Sequence, residues 1–233
     1  VKLLLARHGN TFSEEMTPVF VGSKEDLPLV EEGYHQAARY ADFVKAEQLT
    51  ITRALCGPLQ RTRQFAETIL RCSNLSLTLT IEPRLDEIDY GSWGGLTNEE
   101  VCAKFGQKAL QDWNERSVWP SEGQWTPLES ELESQTRSLV HELLLSDRNR
   151  EKNSDNDNDE SRENHKDCIL LVTSNGRLRY FLKLVPEEFA RAREQKSLKV
   201  LPGNACLLSF ANDTVEVQYW NKSPLKVLQT ITS

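Results

Sequence analysis

Three places in the chain could carry chemistry together. They are Arg7-His8-Gly9 after a short apolar run, Arg61 (with Arg63 beside it) just after Gly57-Pro58, and Ser174-Asn175-Gly176 after a second apolar run. Arginine presents a planar fork of N–H donors that matches phosphate oxygens in pairs. A neutral imidazole is a competent nucleophile toward phosphorus. A helix start adds backbone N–H donors for an anion. Two arginines, a histidine and a helix start therefore suit a phosphoryl group, provided that the fold gathers them. Singly they are weak signals, because a histidine after a strand is more often structural and an arginine on a helix is more often a solvated charge.

The elements that must do the gathering are read from periodicity. Lys2–Ala6 is a short strand that stops at Arg7-His8-Gly9. Residues 10–29, with Pro18, Gly22 and Pro28 and no period, form an ordered loop. Val30–Leu49 reads as a helix with Tyr34, Ala37, Ala38, Ala41 and Val44 on one face, and Leu59–Leu70 as a second with Phe65, Ala66 and Ile69 inward. Between them Ala54–Cys56 is a very short strand, and Leu75–Ile81 alternates with Ser and Thr as a strand does. Arg84–Thr97 is a Gly-rich loop, Asn98–Trp113 is helical with a break at Gly106, and 116–127 is an irregular cap with two prolines. Leu128–Leu145 is an amphipathic helix. Cys168–Thr173 is an unbroken apolar run, the pattern of a strand buried on both faces; Asn175-Gly176 breaks it and Arg177–Val185 returns as a helix. Ala205–Phe210 and Val215–Tyr219 form a hairpin.

Strands alternating with helices predict an α/β fold: a three-layer α/β/α sandwich around a mostly parallel sheet, with an antiparallel pair near the C-terminus. In open α/β sheets the ligand site lies outside the carboxyl ends of the strands, where all three chemical sequences fall. The 233 residues suit one domain over 1–233, with a small helical cap inserted at about 92–146. Residues 146–167 carry 8 acidic and 5 basic side chains and no large apolar one, which reads as a mobile polar loop.

Composition narrows the partners. Apolar residues are 38%, or about 43% with the 11 Gly, enough for a real core. A net charge of −7 gives no general attraction to nucleic acid or to an anionic membrane, so neither is expected as a partner. The apolar runs are too short to span a bilayer, and no basic-then-apolar signal opens the chain. Five scattered Cys without a CxxC are read as reduced thiols, and the expected location is cytoplasmic.

Five segments, in order, resemble the histidine phosphatase superfamily, also called the phosphoglycerate mutase-like family. LLLARHGNT (3–11) resembles its opening strand and RHG motif, and LPLVEEGYHQA (27–37) its LTxxGxxQA helix start. GPLQRTRQFAETI (57–69) resembles its SPLxRTxQTAxxI segment, and LDEIDYGSWGGLT (85–97) its LxExxxGxWEGxT loop. ILLVTSNGRL (169–178) sits where that family has a strand ending in a second HG. The resemblance implies the α/β/α fold and a phosphoric monoester hydrolase of the histidine acid phosphatase type that works on a small phosphorylated substrate without metal or other cofactor. It makes His8 the nucleophile that takes the phosphoryl group, Arg7 and Arg61 the clamp on its oxygens, and Glu87 the acid that protonates the leaving alcohol and then activates water. Asn10 and the Gly176 backbone are the further phosphate contacts.

The second histidine of that pattern is absent: the position is Asn175. No other histidine is in register, and His35, His141 and His165 read as structural or solvated. Asparagine can donate from its NH2 but carries no charge. Losing one preorganised donor costs on the order of 10²–10³ in rate, and a neutral replacement costs some part of that. The expectation is a slow or specialised phosphatase. The competing reading is a decayed module that binds a phosphate ligand or a protein; a phosphoglycerate mutase is less favoured, since no feature ensures the exclusion of water. A family asparagine shortly after the RHG motif is replaced near Glu14, which leaves Asn10 to serve.

Other chemistries fit worse. A cysteine phosphatase needs five residues between Cys and Arg, and only four separate Cys56 from Arg61. Ser174 sits where a nucleophile elbow would, but Val172 stands at its first Gly position and no His follows. No pair of His has helical ligand spacing, and the Asp and Asn run at 155–159 lacks the Gly and Glu of a calcium loop. Trp93 could wall the site or pack, and Trp113, Trp119 and Trp125 are expected in the cap core rather than as a stacking surface.

Overall fold

The computed structural model describes residues 1–154, 167–211 and 214–232. Six strands form one mixed sheet in the order β3-β2-β4-β1-β5-β6. They are β1 (Lys2–Arg7), β2 (Thr50–Cys56), β3 (Leu79–Ile81), β4 (Asp167–Thr173), β5 (Ala205–Ala211) and β6 (Thr214–Lys222). β1, β2, β3 and β4 run parallel, while β5 is antiparallel to both β1 and β6. Among the described residues there are eight α-helices: α1 (Glu31–Ala46), α2 (Gln60–Cys72), α3 (Asn98–Phe105), α4 (Gln107–Arg116), α5 (Glu129–Ser154), α6 (Asn175–Leu182), α7 (Pro186–Glu194) and α8 (Pro224–Thr232).

The period of two along each strand divides the core in half. Leu4, Ala6, Ala54, Cys56, Leu170, Val172 and Ala205 face α1 and α2, where Ala37, Tyr40, Phe43, Phe65 and Ile69 cover them. Leu3, Leu5, Leu55, Ile169, Leu171, Cys206 and Leu208 face the other way, onto Leu139 and Leu143 of α5 and Leu178 and Phe181 of α6. Burial on both faces explains why β1 and β4 are continuous apolar runs. A third cluster lies beyond the sheet. Trp93, Val101, Trp113, Trp125 and Leu132 pack there with Ile88, Tyr90 and Tyr180.

The α/β/α layering and the break at Gly106 follow the pattern reading, with local corrections. β2 starts at Thr50, and of the alternating stretch 75–81 only Leu79–Ile81 joins the sheet. On α1 the buried face is Gly33, Ala37, Tyr40, Ala41, Phe43 and Val44. Tyr34 is exposed, because one residue past Gly33 turns it about 100° off that face. Helix α6 begins at Asn175 rather than Arg177, so Asn175-Gly176 is its first turn and not a break. Helices α7 and α8 escaped the reading; each opens with a proline, which is well suited to a first helical turn. Helix α5 runs on through Ser154, into the stretch read as a polar loop. The remainder of that loop up to 166, including His165 and the run at 155–159, lies outside the described residues. Among the described residues, no helix is long and apolar enough to cross a membrane. All five cysteines are free thiols.

Candidate active site

Adjacent parallel strands bring their carboxyl ends to one edge. β1 and β4 pair in register from Leu3 with Ile169 to Arg7 with Thr173, and the His8 N–H donates to the Thr173 carbonyl at 3.0 Å. The chain then turns at Gly9 against the first turn of α1. A Cβ on Gly9 would lie 2.6 Å from the Gly33 carbonyl oxygen, so this approach admits only glycine. The Thr173 hydroxyl donates to the Leu85 carbonyl at 2.6 Å, which ties the end of β4 to the loop carrying Glu87. A cleft of about 560 Å³ opens at this edge, lined by Arg7, His8, Asn10, Arg61, Glu87 and Asn175 among others. The three chemical sequences are gathered as their strand-end positions required.

The tautomer of His8 follows from its partner. Nδ1 lies 2.8 Å from the Gly9 carbonyl oxygen, an acceptor only, so Nδ1 carries the proton. Nε2 is left with its lone pair. Burial, then the charges of Arg61 and Arg7, hold the His8 pKa well below 6.5 and keep the ring neutral. Arg61, 2% exposed, donates through Nη1 to the Glu25 carbonyl at 2.9 Å and through Nη2 to the Gly22 carbonyl at 2.6 Å. Neutral carbonyl acceptors fix its fork, while the carboxylates of Glu87, Asp86 and Asp26 act on its charge from nearby. Arg7 donates through Nη1 to the Val200 carbonyl at 2.6 Å, while its buried Nε has no partner. Burial lowers the pKa of both arginines from the usual value, with the Glu87 charge opposing.

Glu87 is 7% exposed, and Oε1 accepts from the Ile88 N–H at 2.9 Å. Oε2 accepts from the Gly176 N–H at 3.3 Å. Tyr90 also hydrogen-bonds this carboxylate, and burial beside Glu87 pushes the phenol pKa well above 10, so the hydroxyl is the donor. A Cβ at position 176 would strike Glu87 Oε1 and the Tyr90 hydroxyl. Gly176 therefore acts on the carboxylate; its N–H is engaged there, and the residue is absent from the cleft lining.

Asn175 is held by the same residue as Arg7, Val200. Its Oδ1 accepts from the Val200 N–H at 3.0 Å, which fixes the amide orientation and leaves the NH2 as the donor at the cleft. Asn10 follows the same logic: Oδ1 accepts from Gln36 Nε2 at 3.2 Å, leaving its NH2 free to donate. Glu14 also lines the cleft, and Arg63 does not. Trp93 is fully buried in the third cluster, away from the cleft, whereas Trp113 is both 1% exposed and part of the cleft wall. Tyr90, Asn114 and Lys199 line the cleft without having been singled out. For Tyr90 a signal existed, since it stands three residues after Glu87 in the same Gly-rich loop. His35 and His141 lie exposed on α1 and α5.

Comparison with known proteins shows the family. Residues 3–223 match the family model described as histidine phosphatase superfamily (branch 1). A 2,3-bisphosphoglycerate-dependent phosphoglycerate mutase of Bartonella quintana (strain Toulouse) is 33% identical over 124 residues, covering 52% of this chain and 59% of that protein. Phosphoserine phosphatase 1 of Hydrogenobacter thermophilus is 36% identical over 108 residues, covering 45% of this chain and 47% of that protein. The chain thus spans about half the length of the curated relatives it matches. Among solved structures, a mycobacterial glucosyl-3-phosphoglycerate phosphatase superposes with a TM-score of 0.72 at 21% identity, covering 95% of this chain and 99% of that one. This last likeness shows the shared fold. With the family model spanning nearly the whole chain, the protein belongs to the histidine phosphatase superfamily, branch 1.

Proposed function

We propose that the protein hydrolyses a small phosphomonoester through a phosphohistidine on His8, with Glu87 as the proton donor. The observation that carries this reading is the His8 tautomer. With Nδ1–H donated to Gly9, the Nε2 lone pair is available at a cleft lined by the Arg7 and Arg61 guanidiniums. In the first step Nε2 forms a bond to phosphorus and the phosphorus–oxygen ester bond breaks. The Glu87 carboxyl group gives its proton to the departing alkoxide. In the second step Glu87 takes a proton from water, the hydroxide attacks phosphorus, the N–P bond breaks, and inorganic phosphate leaves. Arg7 and Arg61 stabilise the charge on the equatorial oxygens, and the Asn175 and Asn10 NH2 groups donate beside them. That superfamily relatives and structural neighbours bear the names of phosphatases and mutases supports phosphatase-type chemistry.

The second reading is a phosphate-binding module without turnover, and one observation favours it: the donor at 175 is neutral. Metal-free hydrolysis of p-nitrophenyl phosphate across pH, on wild type and His8→Ala, separates the two. Turnover that falls by more than about 10³-fold in His8→Ala supports the phosphatase. Phosphate binding without turnover in either protein supports the module.

A further inference from the structure

Arg7 and Asn175 are set by a turn that belongs to neither of the strands that deliver them. Leu201-Pro202-Gly203-Asn204 closes where the Asn204 N–H donates to the Leu201 carbonyl at 3.0 Å. Proline stands second and Gly203 third with φ at +73°, as a type II turn requires. The turn and the residue before it grip the end of β1. The Val200 carbonyl accepts from Arg7 Nη1 at 2.6 Å, the Asn204 carbonyl accepts from the Arg7 N–H at 3.2 Å, and the Gly203 N–H donates to the Arg7 carbonyl at 3.1 Å. The same segment reaches the β4 side, where the Val200 N–H donates to Asn175 Oδ1 at 3.0 Å. Gly203 also lies against Gln36, the side chain that orients Asn10.

The turn is in turn held by one side chain of β6. Between the Leu207–Tyr219 and Ala205–Lys222 pairs, β6 has one residue more than β5, which makes a bulge. Asn221 sits in that bulge with φ at +59°, a left-handed conformation that asparagine and glycine tolerate best. Its N–H leaves the ladder and donates to Cys206 Sγ at 3.4 Å. A bulge re-aims the side chain it carries, and this one aims Asn221 at the turn. Oδ1 accepts from the Leu201 N–H at 2.8 Å and from Asn204 Nδ2 at 2.8 Å, and the Asn221 carbonyl accepts from the same Nδ2 at 3.1 Å. Asn204 is buried, so its NH2 depends on these acceptors. Asn221 itself is absent from the cleft lining, so whatever it does for a ligand passes through the turn.

We propose that Asn221 is a positioning residue for the phosphoryl site: its Oδ1 holds the 201–204 turn, and the turn with Val200 holds the Arg7 guanidinium and the Asn175 amide in their donor poses. The proposal rests on the reading of the His8 pocket as the phosphoryl site. Such a tether matters most where the donor is neutral, because an amide serves an anion through its direction alone. Once Val200 drifts, the Asn175 amide is free to flip and present its carbonyl oxygen in place of its NH2. The Arg7 fork loses its anchor in the same movement.

Calorimetric titration of the full chain with orthovanadate, a phosphoryl mimic, tests this whether or not the protein turns over. Asn221→Gly removes Oδ1 while keeping a residue suited to the left-handed backbone, and should weaken binding about tenfold. Asn221→Asp keeps both the acceptor oxygen and that backbone tolerance, and should bind within about threefold of wild type. A general loosening of the fold would cost the same in any background, so the cycle is closed with Arg7→Ala, where Asn221→Gly should cost about threefold or less. Thermal melts establish that each variant is folded, and the Asp variant keeps the proposal open to failure even where the Gly variant does not fold. Unchanged affinity in folded Asn221→Gly, a tenfold or greater loss in folded Asn221→Asp, or an equal cost of Asn221→Gly beside Arg7→Ala overturns the positioning role alone. Absence of orthovanadate binding by wild type overturns the phosphoryl pocket and the positioning role with it.

Discussion

The ends of β1 and β4 lie side by side in parallel register and serve the same cleft, yet they are built differently. The β1 end joins charge to reactivity. His8 is buried, neutral and oriented by its neighbour's carbonyl, and Arg7 is half-buried with its Nε unpartnered. The β4 end supplies geometry without charge: Asn175 is locked by Val200 into a donor pose, and the Gly176 amide steadies Glu87. Positive charge returns one helical turn later at Arg179, and across the Val200 peptide at Lys199. Donor geometry and charge are therefore separable in this site. One residue, Val200, coordinates them, its carbonyl accepting from Arg7 and its N–H donating to Asn175.

Substitutions that remove charge on the β1 side should have the largest effects. Arg61→Ala should lower kcat/KM for p-nitrophenyl phosphate by about 10²–10³, the cost of one preorganised donor with its charge. A loss under tenfold would mean that Arg61 serves only to anchor the loop at Gly22 and Glu25. On the β4 side, Gly176→Ala should cost about 10² in kcat with a smaller change in KM, because the new methyl displaces Glu87 rather than the phosphoryl pocket. Retained kcat in a folded Gly176→Ala protein would remove Glu87 from the acid role. Asn175→His restores a chargeable donor and should raise kcat about tenfold while adding an ionisation to the pH–rate profile. A fall in rate would show that the Val200 tether matters more than charge at this position.

The smallest effect is on stability. Folding holds the His8 pKa well below 6.5, whereas the unfolded chain protonates near 6.5. The unfolded state thus binds the extra proton, and this contribution to stability is lost as pH falls from 6.5 toward the folded pKa, by up to about 1.4 kcal/mol per unit. Urea midpoints between about pH 7 and pH 5 should fall less steeply in His8→Ala than in wild type. Parallel slopes would mean that the ring is solvated enough to protonate in the folded protein.

Legibility in the sequence followed the same division. Double-sided burial wrote β1 and β4 as apolar runs, and a strand that ends in a Gly-flanked Arg-His announces itself. Arg61 and Glu87 were accessible through their motif segments. The partners that orient these groups were not, because Val200, Gln36 and Gly22 act through backbone or distant side chains that leave no local pattern. Gly176 was read as a phosphate donor, and only the fold revealed that Glu87 occupies its amide. Lys199 resembles any exposed basic residue until topology sets it at the cleft. The edge of β3 and the proline-led helices α7 and α8 were missed because tertiary packing, rather than periodicity, decides such short elements.

The central claim is a covalent phosphoryl transfer to His8 in a site whose second donor is neutral. Its most direct test is a rapid alkaline quench of the protein mixed with a radiolabelled phosphomonoester, followed by peptide mapping. The account predicts label on the peptide containing Arg7-His8-Gly9, acid-labile and alkali-stable as a phosphoramidate is, and absent from His8→Ala. Turnover of the substrate with no labelled protein, or label on any other residue, would contradict it.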